Sequence, residues 1–256
     1  MIKRFKHSGT LGDLIYSMAL VKHFGGGEFY LHLNQIDWIG QHYYGSAPNP
    51  FHQGRMTQKD FEFMQTFMLA QPNITRFDTL DPKTTEITHN LDLFRPLFVN
   101  HPGNYVDCYC EAFAIRDQGM QKMIRMTPWL TAPNPRTVPG KSYVINRTAR
   151  WTSADSLPAW EAIRDQADDA AIFVGLPEEY EAFKKFADWD ITYHPTETLL
   201  DLAEIIAGAE QFVGNQSAAL SVAIGLGAAY ACELRRDLPQ QRNECWFPNQ
   251  PNGDYF

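Results

Sequence analysis

"KHSGTLGDLIYSMALVKHFGGGEFYLHL", residues 6–33, runs from an apolar strand through a glycine-bearing turn into an apolar helix and out into a second strand. "IKRFK" reads as a short strand, "DLIYSMALVKHF" carries Leu14, Met18 and Val21 at helical spacing, and "EFYLHL" alternates as a strand does. Gly25, Gly26 and Gly27 stop the helix and turn the chain. Elements joined this closely form a βαβ unit, the seed of a parallel sheet.

Working outward, the same alternation recurs. Residues 36–56 are rich in Tyr, His, Pro and Gly without sustained periodicity and read as a loop. "TQKDFEFMQTFMLAQ" is helical by spacing, "NITRFDTL" and "TEITHNLDLF" read as strands, and a helix follows through "YVDCYCEAFAI". "TAPNPRTVPGKS", residues 131–142, concentrates proline and glycine and reads as a linker. Beyond it come "SYVINRT", "AAIFVGL", "ITYH", "EQFVGN" and "AAYACEL" as strands. Between them lie the helices "LPAWEAIRDQA", "PEEYEAFKKF", "TLLDLAEIIAG" and "SAALSVAIGLG". Gly208 stands where a C-cap glycine belongs. The pattern predicts an α/β protein of two Rossmann-like domains facing across a cleft: residues 1–132, residues 141–235, and a C-terminal tail at 236–256.

Composition narrows the function. At 256 residues and 44% apolar, the chain can bury a core. No apolar run is long enough to span a membrane and no signal-peptide core follows "MIKRFKHSG", so the cytoplasm is the expected location. Cys108, Cys110, Cys232 and Cys245 form no C-x-x-C pair and read as reduced, buried thiols. A net charge of −8 with no run of Lys or Arg weighs against a protein that grips duplex phosphates.

Three strand-to-helix turns carry chemistry, because ligands of open parallel sheets bind beyond the carboxyl ends of the strands. In "HSGTLGD", Gly9 and Gly12 let the backbone approach a ligand, Thr10 between them is a candidate substrate-binding residue, and Asp13 stands at the helix start as a candidate base or as a plain helix cap. In "FVGNQSAALSVAIGLG", Asn215, Gln216 and Ser217 open a helix of small residues whose first amides can receive an anion, or simply cap it. In "INRTARW", Arg147 and Arg150 are placed to neutralise a diphosphate. The G-x-G-x-x-G dinucleotide fingerprint and the P-loop are both unmet. "DWD" at 188–190 reads as solvated loop carboxylates, and the histidines lack ligand spacing, so no metal is assigned.

Taken together, "GTLGDLIYSMALVKHF" and "ETLLDLAEIIAGAEQFVGNQSAALSVAIGLG" resemble the heptosyltransferase-like glycosyltransferases, the group that includes the ADP-heptose:lipopolysaccharide heptosyltransferases. In that group a G-D-[ILV] turn opens the first domain, and a strand ending in G-[ND]-[DQ]-S opens the helix that receives the donor's diphosphate. The resemblance implies a GT-B fold and metal-independent sugar transfer from a nucleotide sugar, with no cofactor beyond that donor. It makes Asp13 the general base, Ser217 and its neighbours the diphosphate-binding helix start, and Arg150 the basic residue facing the phosphates. Gln216 stands where the group often has aspartate.

The expectation is therefore an inverting glycosyltransferase acting on a nucleotide-sugar donor and a glycan or other hydroxyl acceptor. Two alternatives stay open. One is a phage-type transferase acting on a modified nucleic-acid base, with the aromatic loop from Trp38 to Tyr44 stacking bases, although the acidic composition disfavours nucleic acid. The other is a catalytically silent nucleotide-sugar-binding protein.

Overall fold

The computed structural model describes residues 2–34, 56–98, 103–235, 248 and 250–256. The chain divides into two compact units, Met1–Thr131 and Ala132–Phe256. Of the loop expected at 36–56 only Met56 is described, so the Trp38–Tyr44 stretch lies outside the described residues.

In the first unit, β1 (Arg4–His7), β2 (Gly27–Leu31), β3 (Ile74–Thr79) and β4 (His89–Asn90) form a parallel sheet in the order β3-β2-β1-β4. Helix α1 (Leu11–His23) connects β1 to β2, and α2 (Gln58–Leu69) precedes β3. α2 opens on a capping box in which Thr57 and Asp60 exchange hydrogen bonds. The short α3 (Arg95–Phe98) leads on to α4 (Tyr105–Ala112) and α5 (Gln118–Met126). The sequence predicts only an apolar stripe on α1, yet every residue from Asp13 to Val21 is buried. The other side of the helix is covered by the chain that follows the sheet: the Tyr16 and Tyr105 rings stack at 4.9 Å, and the Trp129 indole N–H donates to the Ile15 carbonyl at 3.0 Å.

"TEITHNLDLF" departs from its predicted strand. Only His89–Asn90 pairs with β1, because the Asn90 side chain accepts the Asp92 N–H and folds Leu91–Phe94 into a 3₁₀ turn. That early stop carries Asp92 and Arg95 back toward the carboxyl end of β1.

The second unit holds β5 (Tyr143–Asn146), β6 (Ala171–Phe173), β7 (Thr192–Tyr193), β8 (Gln211–Asn215), β9 (Tyr230–Glu233) and β10 (Gly253–Tyr255). All are parallel, in the order β10-β9-β8-β5-β6-β7. Counted from β5 this is 3-2-1-4-5-6 reversed, the strand order of the dinucleotide-binding fold. The connecting helices are α6 (Leu157–Ala167), α7 (Pro177–Ala187), α8 (Leu199–Gly208) and α9 (Ala218–Leu226). Trp160, Phe173 and Phe183 are at most 1% exposed and anchor the core on one face. The segment read as a C-terminal tail ends in β10, which extends the sheet beside β9.

Gly208 differs from its expected role. It is the last residue of α8, and a Cβ there would meet the Arg136 carbonyl oxygen at 2.3 Å. Its lack of a side chain lets the 132–140 segment dock on α8, where Arg136 donates its N–H to the Glu204 carbonyl and pairs with Asp201 at 2.7 Å. The linker is thus fastened to the second unit rather than hanging free.

Candidate active site

Both sheets reverse direction beside their first strand, between β1 and β4 and between β5 and β8. At such a switch point the flanking connections part to opposite faces and leave a crevice at the carboxyl ends of the strands. Each unit has its polar cluster there.

In the first unit, β1 ends at His7, and Ser8, Gly9 and Thr10 lead into α1. Thr10 is the N-cap but makes no side-chain cap bond, and Asp13 lies in the first turn of the helix. Its carboxylate Oδ2 lies 3.3 Å from Arg95 Nη2, with both side chains at most 10% exposed. Among the described residues this is the hydrogen bond that the Asp13 carboxylate accepts. Arg95 also meets Asp92 Oδ1 through Nε at 3.3 Å, and its guanidinium sits 5.0 Å over the Phe94 ring. Gly9 makes the arrangement possible, since a Cβ at that position would fall 1.7 Å from Arg95 Nη2. Gly12 lies within the first turn of α1.

The backbone of the same turn is braced by a chain of hydrogen bonds. Gly9 donates its N–H to His7 Nδ1 at 2.8 Å, so His7 Nε2 carries the ring proton and donates it to the Tyr109 hydroxyl at 2.8 Å. Tyr109 in turn donates to the Asp13 carbonyl at 2.9 Å. Burial holds His7 neutral, lowering it to about 4, and raises the Tyr109 hydroxyl well above its ordinary value. Burial works against the charge on Asp92, but His7 when protonated, Arg95, Lys6 and the Ser8 N–H outweigh it and hold the carboxyl below the usual range.

In the second unit, Asn215 ends β8 with its side chain buried and turned toward the loop after β5. Its Oδ1 accepts the Thr148 N–H at 3.0 Å, and its Nδ2 donates to the carbonyls of Thr148 at 2.9 Å and Arg150 at 2.6 Å. Asn215 therefore joins two of the sequence-predicted turns, fixing the Arg150 turn beside the start of α9. Ser217 is the N-cap of α9 and accepts the Leu220 N–H at 3.2 Å; Gln216 is half-buried beside it. Arg147 is committed elsewhere. Its Nε and Nη2 grip Glu233 at 2.7 and 3.0 Å, and its guanidinium lies 3.7 Å from the centre of the Phe186 ring. Glu233, wholly buried, also accepts from Ser153 N–H, Ser156 Oγ and Trp160 Nε1.

Asn146, Glu179, Asp92, Arg95, His7 and Tyr109 carry no sequence signal of their own, since nothing local to them marks a site. Glu179 lies in the first turn of α7, where its Oε2 accepts the Leu176 N–H at 3.0 Å and its charge feels Arg150. Burial pushes its carboxyl up, and the Leu176 amide, Asn146 and Arg150 only partly offset this. Of the "DWD" carboxylates, Asp190 pairs with Lys184, and Asp188 closes α7 in the left-handed conformation. No group of three or more His, Cys, Asp or Glu placed to hold a metal ion occurs among the described residues. No helix among them is long and apolar enough to cross a membrane.

No protein-family model and no curated protein matches the sequence. Solved structures do match the fold. A family 9 glycosyltransferase from Veillonella parvula aligns over 99% of this chain and 85% of its own, at 11% identity and a TM-score of 0.57. The Escherichia coli ADP-heptose lipopolysaccharide heptosyltransferase II aligns over 100% and 90%, at 12% identity and a TM-score of 0.53. The dodecameric, iron-containing glycosyltransferase TibC of enterotoxigenic E. coli aligns over 96% of this chain and 61% of its own, at 14% identity and a TM-score of 0.53. At such identities the likeness is one of fold. The heptosyltransferase-like fold expected from the "GTLGD" and "GNQS" turns is the fold this chain has.

Proposed function

We propose that this protein is a glycosyltransferase that moves a sugar from a nucleoside-diphosphate sugar to an acceptor hydroxyl, with inversion and without a metal. One observation carries the reading: in a chain with the fold of glycosyltransferases, a carboxylate fixed by an arginine stands at one switch point, and the Ser217-capped start of α9 beside an arginine turn stands at the other. The first unit takes the acceptor and the second the donor.

Arg95 anchors Oδ2 of Asp13 and leaves Oδ1 for the acceptor proton. As Asp13 accepts that proton, the acceptor oxygen bonds to the anomeric carbon and the bond from that carbon to the diphosphate oxygen breaks. The departing diphosphate gains negative charge, which Arg150 and the N–H groups at the start of α9 stabilise. Arg147, held by Glu233, shapes this loop. A single displacement at the anomeric carbon inverts its configuration. Cys108 and Cys110 are buried thiols that burial raises to about 12, which suits a reducing cytoplasm.

The test is a thermal-shift screen against ADP-, UDP-, GDP- and CDP-sugars, followed by assay of nucleotide release with and without EDTA. Release that persists in EDTA and yields a product of inverted configuration is expected. A thermal shift without release would make the protein a silent binder, and no shift with any donor would overturn the reading.

A further inference from the structure

Asn215 and Glu233 are register partners at the carboxyl ends of the neighbouring parallel strands β8 and β9, and both side chains bond to the loop between β5 and α6. They divide that loop between them. Asn215 holds its middle, through the Thr148 N–H and the carbonyls of Thr148 and Arg150. Glu233 ties together the two arms that flank Arg150. Its oxygens accept two hydrogen bonds from Arg147 on one side, and one each from the Ser153 N–H, Ser156 Oγ and Trp160 Nε1 on the other, all between 2.7 and 3.0 Å.

Such a grip is costly to build. The Glu233 side chain is wholly buried, and taking a carboxylate out of water is offset only when its lone pairs are filled, as they are here. An apolar side chain of similar volume would hold β9 against α6 about as firmly, so stability does not account for the carboxylate. What five directional bonds supply is one geometry for the loop. The backbone bears this out: Trp151, inside the loop, has φ +55°, a conformation that L-residues keep only where the surroundings enforce it. We propose that Glu233 is a positioning residue of the donor site, which forms the β5–α6 loop before the nucleotide arrives and so presents Arg150 to the diphosphate already in place. Affinity gains because the loop need not be ordered at the moment of binding. The inference rests on the donor reading above and adds to it a residue that acts through Arg150 without touching the ligand.

Equilibrium binding of ADP, UDP, GDP and CDP to the full chain, at a temperature where every variant is fully folded, tests it through a double-mutant cycle with Arg150→Ala. Glu233→Gln keeps the shape of the side chain but turns an amide group toward donors that an oxygen now serves. With Arg150 present it should lose about 10-fold or more in affinity, up to the loss in Arg150→Ala, because only molecules with the loop formed bind well. In the Arg150→Ala background the same change should alter affinity by less than about 2-fold. Ser156→Ala removes one of the five bonds and decides the question if Glu233→Gln does not fold. Its loss should be about 3- to 10-fold and should likewise vanish in the Arg150→Ala background. Equal losses in both backgrounds would mean that Glu233 only supports the fold of its unit, and undiminished affinity with Arg150 present would mean that Asn215 alone forms the loop; either result overturns the inference and spares the donor reading. If the unaltered protein binds none of the nucleoside diphosphates, the donor reading falls and the role of Glu233 falls with it.

Discussion

Arg95 Nη2 lies 3.3 Å from Asp13 Oδ2 across the space left by Gly9, where a Cβ would fall 1.7 Å from that same nitrogen. The "GTLGD" turn is therefore built around an arginine that arrives from 82 residues further along the chain. Gly9→Ala must displace a guanidinium gripped by two carboxylates. It should lower unfolding stability by about 1 to 3 kcal/mol, as overpacking does. Urea denaturation measures this, and stability matching the unaltered protein would show that Arg95 has room to move.

Asp13→Asn keeps the shape of the side chain and leaves Arg95 paired with Asp92, so the protein should fold. The loss of one charge-assisted hydrogen bond should cost about 1 to 3 kcal/mol. Turnover should fall by at least roughly 10², the contribution of a positioned base. Calorimetry and nucleotide-release kinetics on one preparation separate the two effects. Full turnover with a lowered melting temperature would reduce Asp13 to a structural partner of Arg95.

Acid should loosen the same turn. His7 stands at about 4 in the folded chain against 6.5 when exposed, so between those values the unfolded chain binds a proton that the folded chain refuses. The stability from neutral His7 is complete above about pH 6.5, is lost as pH falls toward 4, and changes little below. The total is on the order of 3 kcal/mol. His7→Gln retains a donor toward Tyr109 and should flatten most of this slope. A residue of the same sign should remain from His32 and His89, which burial also lowers. Melting temperatures from pH 7 to 4 for both proteins decide it, and parallel curves would exclude His7.

Asn215 and Arg150 give a paired prediction for the second unit. Arg150→Ala should weaken nucleoside-diphosphate binding by roughly 1.5 to 3 kcal/mol. Asn215→Ala leaves the Thr148 N–H and the carbonyls of Thr148 and Arg150 without their partner, and should cost about 3 kcal/mol of stability. Its diphosphate affinity should fall as Arg150→Ala does, because the turn that presents Arg150 is released. Isothermal titration with ADP and UDP checks both, and unchanged affinity in Arg150→Ala would remove Arg150 from the site.

The sequence alone determined the βα alternation, because burial of parallel strands and their covering helices writes itself locally in apolar periodicity and turn glycines. It located the two turns at Gly9–Asp13 and Asn215–Ser217, since a turn at a strand's carboxyl end depends on a few adjacent residues. Only the tertiary structure decided what those turns meet. Arg95 reaches Asp13 because Asn90 cuts its strand short, Arg147 is taken by Glu233 at the end of a different strand, and Gly208 exists for the backbone of Arg136. Each of these is a contact between residues far apart in the chain, fixed by parallel strand register and by the burial of charge against charge. No local pattern of residues encodes them, because neither partner constrains its own sequence neighbours.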